Sequence, residues 1–367
     1  MKGWRWRHKA NARTLRTIWR CLVSICALAP ASGCATLGYY AHLAAGEVQV
    51  LRARRPIPRV IADPDTSPEL RARLQLAQRA RAFASDVLKL PRNRSYTTYA
   101  NIGRPFVMYN VFATPALSLQ PVEHCFPFTG CVAYQGFYRL DRAQAAAGKL
   151  RRKGNDVWIG GVPAYSTLGH FADPLLSTMA DWSDDDLVGT IFHELAHQQV
   201  YARDDTTFNE SFATFVQRQG LREWHAYNHL PPPDDEADRR ERQFNDLVLG
   251  ARERLKKLYA SDLPDTEKLE RKGQVFEQLR EDYRHLRDTQ WHGDHGYDDW
   301  FATPLNNAKL LPFGLYQSAV PAFAALFERC GGDWTRFYAA VREIGEGPPE
   351  ERKAFLGGAQ THEAANR

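Results

Sequence analysis

The sequence predicts an α+β protein, a small β-sheet followed by a mainly helical part that carries a charged helical hairpin. Three observations predict it. Residues 95–140 mix aromatic and β-branched runs with Pro and Gly, the pattern of short strands and turns. From 183 onward apolar residues recur at helical spacing. Between 238 and 290 two charged arms with helical apolar stripes meet at Leu263-Pro264, where proline breaks the helix. The 367 residues are 44% hydrophobic, enough for a packed core and too apolar for global disorder. No internal repeat is present.

The first residues form a unit of their own. Residues 1–33 contain Lys2, Arg5, Arg7, Lys9, Arg13, Arg16 and Arg20 and no acid. An apolar run from Cys21 to Ala29 follows, then Ala31-Ser32-Gly33. Basic, apolar and small-residue regions in that order read as a secretory signal peptide over 1–33. The apolar run is shorter than the ~20 residues a spanning helix needs. Ala31-Ser32-Gly33-Cys34 resembles a bacterial lipobox, which implies lipidation at Cys34; the alternative is an ordinary signal with a coincidental Cys. Ala35 is not the Asp of an inner-membrane retention signal. The expected place is therefore the periplasmic side of the envelope, anchored by lipid to the outer membrane. Removing the leader takes seven basic residues from a formal charge of +5 and leaves −2. Bulk charge then gives no reason to expect a nucleic-acid partner.

Residues 34–66 are read as the lipidated N-terminal segment. Residues 67–367 are read as one domain, with 67–180 mixed and 181–367 helical. A helical stretch over 35–62 is broken by Arg54-Arg-Pro-Ile-Pro58. Residues 67–90 read as a helix with Ser67 as N-cap and Pro68 at its start. Strands are expected at Val107–Phe112, Cys131–Tyr134, Phe137–Leu140 and Val157–Val162, and a helix at 141–153 capped by Asp141. Cys125 and Cys131 enclose a turn-prone Phe-Pro-Phe-Thr-Gly loop. In an oxidising compartment they read as a disulfide, with two buried thiols as the alternative. Cys330 is left over as a small buried hydrophobe. Ser183 with Asp186 marks a helix start. A second helix over 207–228 ends at Pro231-Pro-Pro233. Two more helices lie in 304–343, separated near Gly331-Gly332.

The chemistry concentrates in the first two of those helices. Thr190-Ile-Phe-His-Glu-Leu-Ala-His197 contains His-Glu-x-x-His. Residues four apart on a helix differ by about 40° around the axis, so His193 and His197 point the same way and can share one zinc ion. Glu194 is offset from that line and suits a general base better than a ligand. A catalytic zinc takes three protein ligands and keeps one position open. Glu210 is the candidate third ligand, and Asp204 or Asp205 is the runner-up or a partner orienting a His ring. Thr207 with Glu210 also matches a capping box. His170, His225 and His229 read as solvated or structural. Tyr316 is the candidate oxyanion stabiliser, with a core aromatic as the alternative. The strand and loop over 160–169 could bind peptide backbone at a sheet edge.

These residues resemble a known family. The run Phe192-His-Glu-Leu-Ala-His-Gln198, followed by Asp204-Asp-Thr and Phe208-Asn-Glu-Ser-Phe-Ala-Thr-Phe-Val216, is similar to the bacterial putative aminopeptidases, exported gluzincin-like zinc peptidases. The likeness extends to Gly33-Cys34, Tyr39-Tyr40, Cys125-Phe-Pro127, Ala164-Tyr-Ser-Thr-Leu-Gly169, Asn306-Asn-Ala308 and Val320-Pro-Ala-Phe323. It implies zinc held by His193, His197 and Glu210, Glu194 as base, and a peptide substrate. The competing expectations are a lipid-anchored binding or assembly protein with a non-catalytic metal, and an endopeptidase for misfolded envelope proteins.

Overall fold

The computed structural model describes residues 32–126, 130–167, 171–314 and 319–364. The chain divides into two units, 1–47 and 48–367. The leader expected to be a signal peptide lies outside the described residues up to residue 31. What is described of the first unit belongs to helix α1 (Ser32–Arg52), which contains Cys34 and whose last turn belongs to the second unit. Among the described residues no helix is long and apolar enough to cross a membrane.

The second unit is α+β, as the sequence predicts. Where the sequence suggests one small sheet, there are three among the described residues. Strand β1 (Arg54–Pro56) occupies the expected break and leads into α2 (Ile57–Ala62) and α3 (Pro68–Asp86). Ser67 caps α3 by accepting from the Leu70 N–H. The helix ends at Asp86, four residues earlier than its apolar pattern suggests; Leu88 and Leu90 are still buried, in the turn that follows, where Lys89 takes a positive φ. β2 (Thr98–Ala100) pairs antiparallel with β1 and parallel with β8 (Leu175–Leu176).

The second sheet has the order β6-β3-β7, all antiparallel, from β3 (Met108–Pro115), β6 (Tyr134–Phe137) and β7 (Asn155–Val162). Val111 faces Ile159 and Phe112 faces Trp158 across the ladder. Strands β4 (His124–Phe126) and β5 (Gly130–Val132) form a hairpin whose opposed residues Cys125 and Cys131 are joined by a disulfide. Helix α4 (Leu140–Arg151) packs on β3 and β7, and its buried Ala143 and Ala147 permit the close approach. Asp141 does not cap α4, contrary to the sequence expectation. Arg139 holds the cap position without a side-chain bond, and Asp141 pairs with it from the first turn. An acid there still faces the positive helix end.

The helical part starts with α5 (Asp184–Gln199) and α6 (Thr206–Tyr227), continues through α7 (Asp235–Tyr259), α8 (Asp265–Thr289) and short α9 (Asp298–Ala302), and ends with α10 (Val320–Arg329), α11 (Trp334–Glu346) and α12 (Pro349–Ala364). Gly331 and Gly332 turn the chain between α10 and α11 with positive φ, which favours glycine. Cys330 beside them is half-buried rather than enclosed. The charged hairpin α7–α8 has its own core. Phe244, Val248, Ala251 and Leu255 meet Phe276, Leu279, Tyr283 and Leu286. Tyr297 stacks on Phe244, and Phe301 stacks on Tyr283.

A part-buried ion pair ties this hairpin to the second sheet. Lys272 Nζ donates to Asp156 Oδ2 at 2.6 Å and to the Ala116 carbonyl at 2.8 Å. Asp156 also accepts from the Asn307 N–H, and Asn307 in turn accepts from the Tyr259 hydroxyl. Replacing Lys272 with Met leaves Asp156 short of its cation in a poorly hydrated place. The expected cost is about 3–5 kcal/mol of unfolding free energy, read from urea titrations of the two proteins. A loss below about 1 kcal/mol would mean that water replaces the lysine.

Candidate metal centre

Helix α5 is fixed at both ends. The Ser183 hydroxyl accepts from the Asp186 N–H and donates to the Asp186 carboxylate, and three acids in the first turn face the positive helix end. Leu187, Ile191, Phe192 and Leu195 bury one face. Helix α6 crosses α5 closely. A Cβ on Gly220 would come within 2.9 Å of the Phe192 ring and 2.8 Å of Leu88, so only glycine leaves room there. At the far end His225 bridges Asp185 and the Pro231 carbonyl, a structural role that joins α6 to the first turn of α5.

The start of α6 differs from the capping-box expectation. Asp205 is the cap, accepting from the Phe208 N–H, and it also pairs with Arg352 of α12. This frees Glu210 from any capping role. Asn209 makes two bonds to the Ala202 backbone, accepting from its N–H at 2.8 Å and donating to its carbonyl at 2.7 Å. Ser211 accepts from the Ala319 N–H. Glu210 therefore sits between two anchored neighbours.

Its carboxylate turns toward α5. Glu210 Oε2 lies 3.3 Å from His193 Nε2, and Oε1 lies 3.6 Å from His197 Nε2. The two Nε2 atoms are 3.1 Å apart. One ligand atom from each of the three residues lies within 4.8 Å of the others. Zinc bonds of 2.0–2.1 Å at tetrahedral angles put ligand atoms about 3.3 Å apart, so this donor set suits one such ion. His193 Nδ1 lies 3.1 Å from Gln217 Oε1. Donation from that Nδ1 leaves the Nε2 lone pair aimed at the cluster. Gln217 is two turns beyond Glu210 on the same face of α6, and that heptad spacing is the signal by which the sequence could have revealed it. His197 is buried, and its Nδ1 has no hydrogen-bond partner among the described residues.

The charges reinforce one another. Burial opposes ionisation of Glu210, but His193 and His197 hold its carboxyl down at about 2. Burial would lower His193, and the acids Glu210 and Glu194 override it and raise the imidazole. Glu194 is pushed up, chiefly by burial. Ser166, in the loop after β7, is close enough to act against that rise. Asp173 holds that loop. It accepts from the Thr167 N–H and hydroxyl and from Ser166, while Thr178 bonds the Pro163 carbonyl. Asp173 is a contributor that the sequence reading passed over, while Ser166 belongs to the 160–169 loop that it singled out.

The other sequence candidates fall elsewhere. Asp205 is engaged at the helix cap, and Asp204 is exposed with positive φ. His229 also has positive φ, in the turn after α6. Tyr316 and His170 lie outside the described residues. Tyr201, exposed just beyond α5, sets its ring edge-on to His197, 6.5 Å between centroids.

A family model described as "Putative aminopeptidase" matches residues 38–356. The match covers both helices of the cluster, the sheet and the hairpin. No curated protein and no solved structure matches the chain.

Proposed function

The chain belongs to the "Putative aminopeptidase" family, and from that premise we propose that it is a zinc-dependent peptidase of aminopeptidase type. The observation that carries the proposal is the convergence of His193, His197 and Glu210 on one point, with Glu194 beside it on the same helix. Among the described residues three donors gather there, which favours an open catalytic site over the closed four-ligand site of a structural metal. Zinc held by these three residues would act as a Lewis acid and bring the pKa of a bound water to about 7.

The rest falls to the chain's own groups. Glu194 takes a proton from the attacking water and passes it to the leaving amine. Its burial suits the first of these steps, because a carboxylate with a raised pKa accepts the water's proton more readily. Gln217 keeps His193 in the ligating tautomer. The outer edge of β7, which runs into the Ser166 loop, supplies backbone groups to pair with an extended peptide. Metal analysis of the purified full chain is expected to give about one zinc per chain, with peptide cleavage lost to a chelator and regained on adding zinc. A zinc-loaded chain that cleaves no peptide, with free or blocked amino terminus, would sink the proposal.

The leader and the run Ala31-Ser32-Gly33-Cys34 support a second statement about place. The chain is exported and held at the periplasmic face of the envelope by lipid on Cys34. Cys34→Ser is expected to abolish incorporation of labelled fatty acid and to release the protein into the soluble fraction. Labelling that persists in the variant excludes Cys34 as the anchor.

A further inference from the structure

Strand β7 is an edge of its sheet. The Asn306 side chain donates to the Val157 carbonyl at 3.2 Å, so odd-numbered residues of β7 turn their backbone groups away from β3. Ile159 and Gly161 expose theirs in the same direction, and no protein group among the described residues meets them. Asn306 thus closes the edge at Val157, and a peptide added to β7 stops there.

At that stop lies a cavity of about 340 Å³. Val157, Trp158, Ile159 and Pro304 form apolar walls, and Arg151 and Asn306 supply the polar groups. The Trp158 ring lies back over Gly160, where a Cβ would come within 2.6 Å of it. Arg151, in the last turn of α4, is exposed and has no acid partner among the described residues. An unpaired guanidinium beside a tryptophan and a closed backbone edge calls for a carboxylate attached to an apolar group.

We propose that this cavity is the subsite for the carboxyl-terminal residue of a short peptide, its side chain against Trp158 and its terminal carboxylate on Arg151. The inference rests on the peptidase reading and names the substrate of that same site. Arg151 repels a free amine, so the peptide's amino end points the other way, toward the loop that holds Ser166 beside Glu194. From Val157 to Val162 the strand rises about 17 Å at roughly 3.3 Å per residue, the reach of about five substrate residues. A closed edge also disfavours a chain that continues past the cavity, and with it cleavage inside long proteins.

The test uses the full chain carrying Glu194→Gln, which permits binding without turnover, and pentapeptides ending in Phe or Ala as free acid or amide. Calorimetry is expected to show about tenfold tighter binding of the Phe-ending free acid than of its amide. Arg151→Gln should erase the acid preference. Trp158→Ala should erase the preference for Phe over Ala. Arg151 is exposed, so its variant tests the proposal even if Trp158→Ala fails to fold. Peptides bound and cleaved without either preference overturn the subsite and leave the peptidase standing. Peptides bound with both preferences but never cut by the unmutated zinc-loaded chain keep the subsite and overturn the peptidase. Absence of any binding overturns both.

Discussion

Glu194→Gln is expected to lower kcat for peptide cleavage by about 10²–10⁴-fold while the chain keeps its metal. The substitution removes a proton acceptor and almost nothing else. Gln has the same length and leaves the buried face of α5 intact. The donors at the cluster are His193, His197 and Glu210, so metal content should match that of the parent. The base acts in the transition state, so KM should change little. The discriminating measurement is metal content and kcat on the same preparation. Loss of metal would make Glu194 a ligand rather than a base. A kcat within tenfold of the parent with metal retained would move the base elsewhere.

The helices that build the cluster were legible in the sequence because their signals are local. Ser183 and Asp186 mark a start, the apolar face of α5 repeats at helical spacing, and His193 and His197 fall four residues apart. The hairpin was legible for the same reason, from two apolar stripes and one proline. The placement of Glu210 was not decidable by local rules. A glutamate at that position fits a capping box and a ligand equally, and the choice rests on Asp205 taking the cap, itself held by Arg352 from α12, 147 residues away. Strands β1, β2 and β8 are two or three residues long, too short for any periodic signal, and exist only because they pair with one another. The ties of Lys272 to Asp156 and of Asp173 to the Ser166 loop were hidden because buried polar partners have no preferred spacing along a chain. The apolar stripes of the charged hairpin are what it buries, and the aromatic residues Tyr297 and Phe301 that complete its core come from outside its two helices.

Glu210→Ala is expected to weaken zinc binding by more than 100-fold, enough to strip the metal during dialysis against dilute chelator. On the proposed site three donors would hold the ion, and losing one would leave two imidazoles with no anion to offset a divalent charge. The neighbouring ties predict that the loss is local. Asn209 still pins the loop through Ala202, Ser211 still holds Ala319, and Asp205 still caps α6. The metal-free variant should therefore fold, and its far-ultraviolet circular dichroism should overlay that of the metal-free parent. Added zinc should raise the Tm of the parent, because a ligand at about 100 times its Kd contributes about 2.7 kcal/mol to the folded state. The same addition should leave the Tm of Glu210→Ala unchanged. Gln217→Leu provides the graded comparison. It keeps all three donors and removes only the bond that orients His193, so its affinity should fall by about 10–100-fold, between parent and Glu210→Ala. Asp205→Asn separates the remaining alternative, since it should lower stability through the lost Arg352 pair and leave zinc content untouched. Zinc retained at parental affinity by Glu210→Ala, with zinc lost from Asp205→Asn, would reverse the assignment and make Asp205 the third ligand.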